Sequence, residues 1–161
     1  MNSSPDHPAE LPPLVRVLEL PELAVFKEDR KTRVWMIRDG TDRRWVIKRY
    51  NRAGLRQKVQ AVFGVHPLQK EALWHDRLAV AGLNTVPVYD LGNDPTGRRH
   101  QATPYAGKTF YDVLRENPAP GPLHRHALTR QAGRITGQLL ALRVLYRDLK
   151  STNLVVDEQG V

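Results

Sequence analysis

Three short runs near the N-terminus constrain the fold more than any other feature of this chain. LAVFKED (23–29), RVWMIRD (33–39) and RRWVIKRY (43–50) are rich in β-branched and aromatic residues, which suit a pleated, half-buried surface. Only Gly40, Thr41 and Asp42 separate the last two, and turn formers in so short a connection join antiparallel neighbours. The prediction is an antiparallel meander. NRAGLRQKVQAVFG (51–64) follows, with Leu55, Val59 and Val62 at helical spacing among the basic Arg52, Arg56 and Lys58, and reads as a short helix. HPLQKEALWHDRLAVAGL (66–83) is the main helix of this region, with Pro67 suited to its first turn and Gly82 to its C-cap.

VPVYDLG (86–92) and RHQATPY (99–105) read as two further strands. In AGKTFYDVL (106–114), Thr109 and Asp112 resemble the capping box that opens a helix. Pro118, Pro120 and Pro122 mark a loop. From Ala127 onward, Leu128, Ala132, Ile135, Leu139 and Leu142 recur at steps of four, three, four and three, the mark of a half-buried helix. LVVDEQG (154–160) is strand-like. The order is β-β-β-α-β-β and then mainly α, an α+β fold without internal repeats.

Composition narrows the function classes. A chain of 161 residues with 40% hydrophobic side chains can bury a core, as one domain or two small lobes. Residues 1–13, with Pro5, Pro8, Pro12 and Pro13, read as a disordered lead. Cysteine is absent, which excludes disulfides, thiolate metal sites and cysteine nucleophiles and suits a reducing compartment. Neither a secretory signal nor an apolar span of membrane length is present, so a cytoplasmic protein is expected. A formal charge of +8 favours anionic partners such as nucleotides, nucleic acid or acidic headgroups. The basic residues are spread along the chain with no nucleic-acid-binding motif, so nucleic acid is the weakest of these.

Geometry singles out two charged residues. On the strand Trp45-Val46-Ile47-Lys48-Arg49-Tyr50, Lys48 shares a face with Val46 and Tyr50, while Trp45 and Ile47 point the other way. Alone, Lys48 also reads as a lysine snorkelling from a strand end. On the main helix, at about 100° per residue, Glu71 falls between His75 and Leu78 on the apolar arc. A carboxylate there is costly to desolvate unless a cation meets it, and Lys48 is the natural candidate. The alternative places Glu71 at the edge of the stripe, reaching water. His75 on the same arc reads as packed core rather than a ligand.

YRDLKSTN (146–153) puts Asp148, Lys150 and Asn153 in one loop between helix and strand. A carboxylate can take a proton from a hydroxyl, an amine can steady a phosphoryl group, and an amide oxygen can join a divalent cation's shell. A solvated turn of Ser, Thr, Asn and Asp is the alternative. The string resembles the catalytic loop of the protein-kinase superfamily, H-R-D-L-x-x-x-N, and WVIK resembles its strand-three V-A-I-K. The elements also come in that superfamily's order over residues 23–161.

The resemblance implies a five-stranded antiparallel N-lobe over residues 14–104, with a hinge and the start of a helical C-lobe over 105–161. It implies that Lys48 holds ATP phosphates and is held by Glu71. Val46 would lie over the adenine ring, with Tyr105 and Ala106 as the adenine-binding hinge. Asp148 would be the catalytic base, Lys150 a γ-phosphate contact and Asn153 a magnesium ligand.

The chain departs from that pattern in several places. The superfamily's glycine-rich phosphate loop lies between the first two strands, where KEDRKTRVW has no glycine; Lys27, Arg30, Lys31 or Arg33 would have to serve instead. Tyr146 replaces the motif histidine, and the usual glycine before the loop is missing near Arg143. The superfamily's second metal-binding aspartate, in a D-F-G-type motif, lies beyond Val161, so the expectation is a truncated kinase that does not turn over ATP alone.

The glycine-free basic loop, the basic helix and the run from Glu71 to Leu83 resemble bacterial lipopolysaccharide core kinases, which phosphorylate Kdo or heptose sugars. That resemblance implies a lipopolysaccharide core or lipid A precursor as acceptor at the inner membrane face, where Arg52, Arg56 and Lys58 could lie along an anionic surface; those residues also fit a solvated helix face. D-L-K-x-x-N with Lys150 is instead the Ser/Thr protein-kinase form. A pseudokinase or non-catalytic nucleotide-binding module is the reading from a different class.

Overall fold

The computed structural model describes residues 13–51, 67–116, 120–144 and 153–157. The expected lead over residues 1–12 and the expected basic helix with Arg52, Arg56 and Lys58 lie outside the described residues. The described elements, in chain order, are α1 (Leu14–Glu19), β1 (Glu22–Glu28), β2 (Thr32–Arg38), β3 (Arg44–Tyr50), α2 (Pro67–Val80), β4 (Tyr89–Asn93), β5 (Arg99–Pro104), β6 (Gly107–Thr109), α3 (Phe110–Arg115), α4 (Pro122–Ala141) and β7 (Val155–Asp157). Five strands form one sheet in the order β1-β2-β3-β5-β4, and β6 pairs with β7 in a second. All the pairings are antiparallel, and β1, β2 and β3 form the predicted meander.

The chain divides into two units, Met1–Ala72 with Val88–Pro104, and Leu73–Pro87 with Tyr105–Val161. In the first unit the core lies on one face of the sheet. Trp35, Ile37, Trp45, Ile47 and Ala102 are buried there, with Val17 of α1 packed among them and Leu20, Tyr89 and Leu91 at the margin. This face reflects strict alternation: Trp35 pairs with Ile47 and Ile37 with Trp45 across β2 and β3. The edge strands β1 and β4 both carry register shifts, and such bulges blunt the exposed ladder of a sheet edge.

Two of the hairpins use one local solution. In D39-G-T-D-R43, Asp39 Oδ1 accepts hydrogen bonds from Thr41 N (2.8 Å), Thr41 Oγ1 (2.8 Å) and Arg43 N (3.0 Å). In D94-P-T-G-R98, Asp94 Oδ1 accepts from Thr96 N (2.9 Å), Thr96 Oγ1 (2.6 Å) and Arg98 N (2.9 Å). Asp42 and Gly97 hold the matching left-handed positions, with φ of 66° and 78°. Burial opposes charge on both capping carboxylates, but the hydrogen bonds outweigh it and hold each below the ordinary aspartate range.

In the second unit, α2 and α4 end in the same way. Leu83 N donates to Leu78 O (3.0 Å) and Gly82 N to Ala79 O (2.9 Å); Val144 N donates to Leu139 O (2.9 Å) and Arg143 N to Leu140 O (2.9 Å). These are two Schellman caps, each with an apolar pair across the motif. Leu78, Leu83 and Leu139 are buried in one cluster, with Ile135 and Val144 packed against it. Gly82 sits at φ 81°, but Arg143 takes the equivalent position at φ 55°, where a Cβ is strained. Arg143→Gly is therefore expected to raise stability by about 0.5–1 kcal/mol in urea unfolding; a loss of stability would show that the arginine side chain contributes more than its backbone costs.

The structure corrects three boundaries. The helix α1 was not expected. The six residues of this helix, set between Pro13 and Pro21, are too short for a periodic signal, and docking of Val17 stabilises them. Strand β6 falls within the stretch read as hinge and helix start, because Gly107–Thr109 finds a ladder partner in the distant β7. Helix α4 begins at Pro122, five residues before the expected Ala127, with Pro122 in the first turn, where a missing N–H costs nothing. Thr109 caps α3 as expected, with Asp112 N donating to Thr109 Oγ1 (3.1 Å), while the Asp112 carboxylate accepts from the Thr109 hydroxyl (2.6 Å).

Candidate functional site

The second face of the sheet carries Lys48, Tyr50 and Gln101 beside the apolar Val34 and Val46. Lys48 projects from β3 on the side opposite Trp45 and Ile47, and its cross-strand partners are Val34 on β2 and Gln101 on β5. Its ammonium donates to both oxygens of Glu71, at 3.0 and 2.7 Å. The pairing predicted from the strand face and the helical arc is therefore present within the first unit. Both side chains keep partial access to solvent, 27% for Lys48 and 34% for Glu71. The Tyr50 ring lies beneath the same ammonium, 5.8 Å from its centroid, close enough for a cation–π contribution. A bidentate carboxylate and an aromatic face fix the direction of a flexible amine.

Val46, on the same face as Lys48, is half-buried, and its carbonyl accepts from Thr103 Oγ1 at 3.4 Å. Gln101 was not singled out by sequence. It is 3% exposed, and its Oε1 has no hydrogen-bond partner among the described residues. An orphaned buried acceptor is unusual, and only the register that places it opposite Lys48 draws attention to it.

The turn between β1 and β2 replaces the expected phosphate loop with a closed structure. Asp29 Oδ1 accepts from Lys31 N and Thr32 N, both at 2.7 Å, and from Thr32 Oγ1 at 3.3 Å. Asn51, just after β3, ties the turn down: its Nδ2 donates to Asp29 O (2.7 Å) and its N to Lys31 O (2.8 Å). Of the candidate phosphate-binding cations, Lys27 pairs with Asp29 at 3.0 Å, and Arg33 pairs with Glu22 at 2.9 Å and Glu28 at 3.6 Å. The hydrogen bond from Thr32 N, then those from Lys27 and Lys31, drive the Asp29 carboxyl far below the ordinary aspartate range.

On the opposite face, His100 is fully buried. Its Nδ1 lies 2.9 Å from Arg98 O, and its Nε2 lies 3.9 Å from Asp94. Burial keeps its pKa below the usual histidine range. This histidine belongs to the core side and does not share the Lys48 face.

The second unit holds the remaining candidates. Tyr105 and Ala106 are half-buried just after β5, where the chain passes from the first unit to the second. Asn153 is exposed, two residues before the start of β7. Asp148 and Lys150 lie outside the described residues, as does Tyr146. His75 is half-buried, and its Nδ1 has no hydrogen-bond partner among the described residues. Among the described residues no group of three or more His, Cys, Asp or Glu side chains could hold a metal ion, and no helix is long and apolar enough to cross a membrane.

No known family profile matches the chain, and no curated protein does. Solved structures do, with 61 matching chains. One of them is the apo structure of a pseudokinase, with a TM-score of 0.59 at 11% identity, covering 100% of this chain and 60% of that one. The chain thus spans about 60% of the length of that neighbour. With a five-stranded antiparallel sheet, a lysine–glutamate pair between its third strand and the following helix, and a mainly helical second unit, the chain has the protein-kinase-like fold, comprising the N-lobe and the start of the C-lobe.

Proposed function

We propose that this chain is the nucleotide-binding part of an ATP-dependent phosphotransferase. The observation that carries this reading is the Lys48–Glu71 ion pair. A strand lysine held by two carboxylate bonds is oriented for a second anion, and its partial exposure leaves access for one. In this reading Lys48 contacts the α- and β-phosphates, Glu71 orients it, Val46 packs on the adenine, and the backbone at Tyr105 and Ala106 holds the adenine edge. Asp148 takes the proton of the acceptor hydroxyl, Lys150 steadies the γ-phosphate, and Asn153 contributes one ligand to magnesium. The metal, when bound, neutralises charge on the phosphates.

The acceptor we favour is a Kdo or heptose hydroxyl of a lipopolysaccharide core, reached at the cytoplasmic face of the inner membrane; a protein serine or threonine is the alternative. A non-catalytic nucleotide-binding module is the second reading, favoured by the amides of Lys31 and Thr32 being engaged by Asp29. Titration of the chain with magnesium and ATP tests the first step. Saturable binding that is lost without the nucleotide base supports it, and no binding at millimolar ATP sinks it. This chain alone is expected to transfer no label from γ-labelled ATP; label on a Kdo-heptose oligosaccharide overturns that expectation in favour of an active sugar kinase, and label on protein alone overturns the sugar acceptor.

A further inference from the structure

The β1–β2 turn has a consequence for which ligands the first unit can hold. Backbone amides that converge on one point make an anion-binding nest. Here Lys31 N and Thr32 N converge at 2.7 Å on a single acceptor, and that acceptor is the chain's own Asp29 Oδ1. The Thr32 hydroxyl adds a third donor at 3.3 Å, and Lys27 meets the other carboxylate oxygen at 3.0 Å. Asn51 then fixes the main chain on both sides of the nest, through Asp29 O and Lys31 O, and is itself held by Arg49 Nε at 3.0 Å. The turn is therefore clamped from β3 as well as closed by its own anion.

We propose that Asp29 is a specificity-determining residue: its carboxylate occupies the donors that a nucleotide's terminal phosphates would otherwise use, and so weakens discrimination in favour of the triphosphate. This rests on the nucleotide-binding reading of the Lys48 face. Tyr50 partners Thr32, and Lys48 partners Val34, in the same β2–β3 ladder, so the turn stands beside the face that carries Lys48. Two anions cannot share the same pair of amides, and repulsion between a carboxylate and a phosphate adds to the competition. The nucleoside end of the ligand is not affected, so the carboxylate acts against the phosphates and not against the base.

The test compares adenosine and magnesium–ATP binding by calorimetry for the whole chain and two variants. Asp29→Asn keeps an oxygen able to cap the turn and removes the charge, while Asp29→Gly removes both in a residue that turns accept. The expected result is adenosine affinity unchanged in both, with ATP affinity raised about threefold in Asp29→Asn and about tenfold in Asp29→Gly, tenfold being about 1.4 kcal/mol. The amide resonances of Lys31 and Thr32 should shift on adding ATP to Asp29→Gly and stay in place in the parent chain. Unchanged or weakened ATP binding in both variants overturns the proposal, as does a parallel change for adenosine and ATP, which would mark a general effect on the fold. Binding of adenosine and ATP to the parent chain with no response to Asp29 sinks this inference alone. Failure of all three chains to bind either ligand sinks it together with the nucleotide-binding reading.

Discussion

Lys48→Met is expected to weaken ATP binding by about tenfold to a hundredfold, because hydrogen bonds to charged groups contribute about 1.5–3 kcal/mol each. Methionine keeps much of the length and apolar bulk of the lysine stem, so packing against Tyr50 and Val34 is largely retained. Stability should barely change. With 27% and 34% of the two side chains accessible, the Lys48–Glu71 pair resembles exposed ion pairs, which contribute about 0–1 kcal/mol. Glu71→Gln should show a smaller loss of affinity, since the amide still offers one oxygen to the ammonium. Calorimetry with ATP and urea unfolding on the same samples check both claims. A folded Lys48→Met chain that binds ATP as the parent does would remove Lys48 from the site.

Ile47→Ala, one residue away, should do the opposite. Ile47 is fully buried, with Trp35 and Ala102 as its cross-strand partners. Truncating a buried isoleucine costs about 2–5 kcal/mol, from lost transfer free energy and the cavity left behind. That is a large share of the roughly 5–15 kcal/mol by which a domain is stable. Val25 pairs with the same Trp35 from β1 but is 47% exposed, so Val25→Ala should stay near about 0.5 kcal/mol. Urea midpoints for the two variants measure the contrast; similar small losses would mean that the core does not lie on the Trp35 face.

The difference between Ile47 and Lys48 is legible in the sequence, because a strand sends successive side chains to opposite faces and W-V-I-K-R-Y alternates accordingly. The same holds for Glu71. A carboxylate on the apolar arc of a helix needs a cation, and only one amine lay on an apolar-flanked strand. Two periodicities, one of two residues and one of 3.6, were enough to bring together groups 23 positions apart. Gly82 was legible for a similar reason, since it follows directly on a periodic apolar run.

Other features could not be read that way. Helix α1 has no periodic length to display, and Val17 is helical because the sheet offers it a buried place. Strand β6 is three residues long and exists because β7 lies beside it. Arg143 occupies a position that a glycine usually takes, so residue type concealed the cap that its carbonyl partners reveal. Gln101 looks like any strand glutamine until β5 is set in register against β3.

Sequence alone therefore determined the alternation of the strands, the stripe of the main helix, and through them the Lys48–Glu71 pair, because each depends on local periodicity. Tertiary structure decided what clamps the β1–β2 turn from the end of β3, which buried acceptor lies opposite Lys48 across the ladder, and where the short elements begin. Those depend on ladder register and on contacts between distant segments, and the free energy of such contacts is not written in any single stretch of chain. The basic KEDRKTRVW string suggested cations reaching for phosphate, whereas the folded turn holds Asp29 against its own amides.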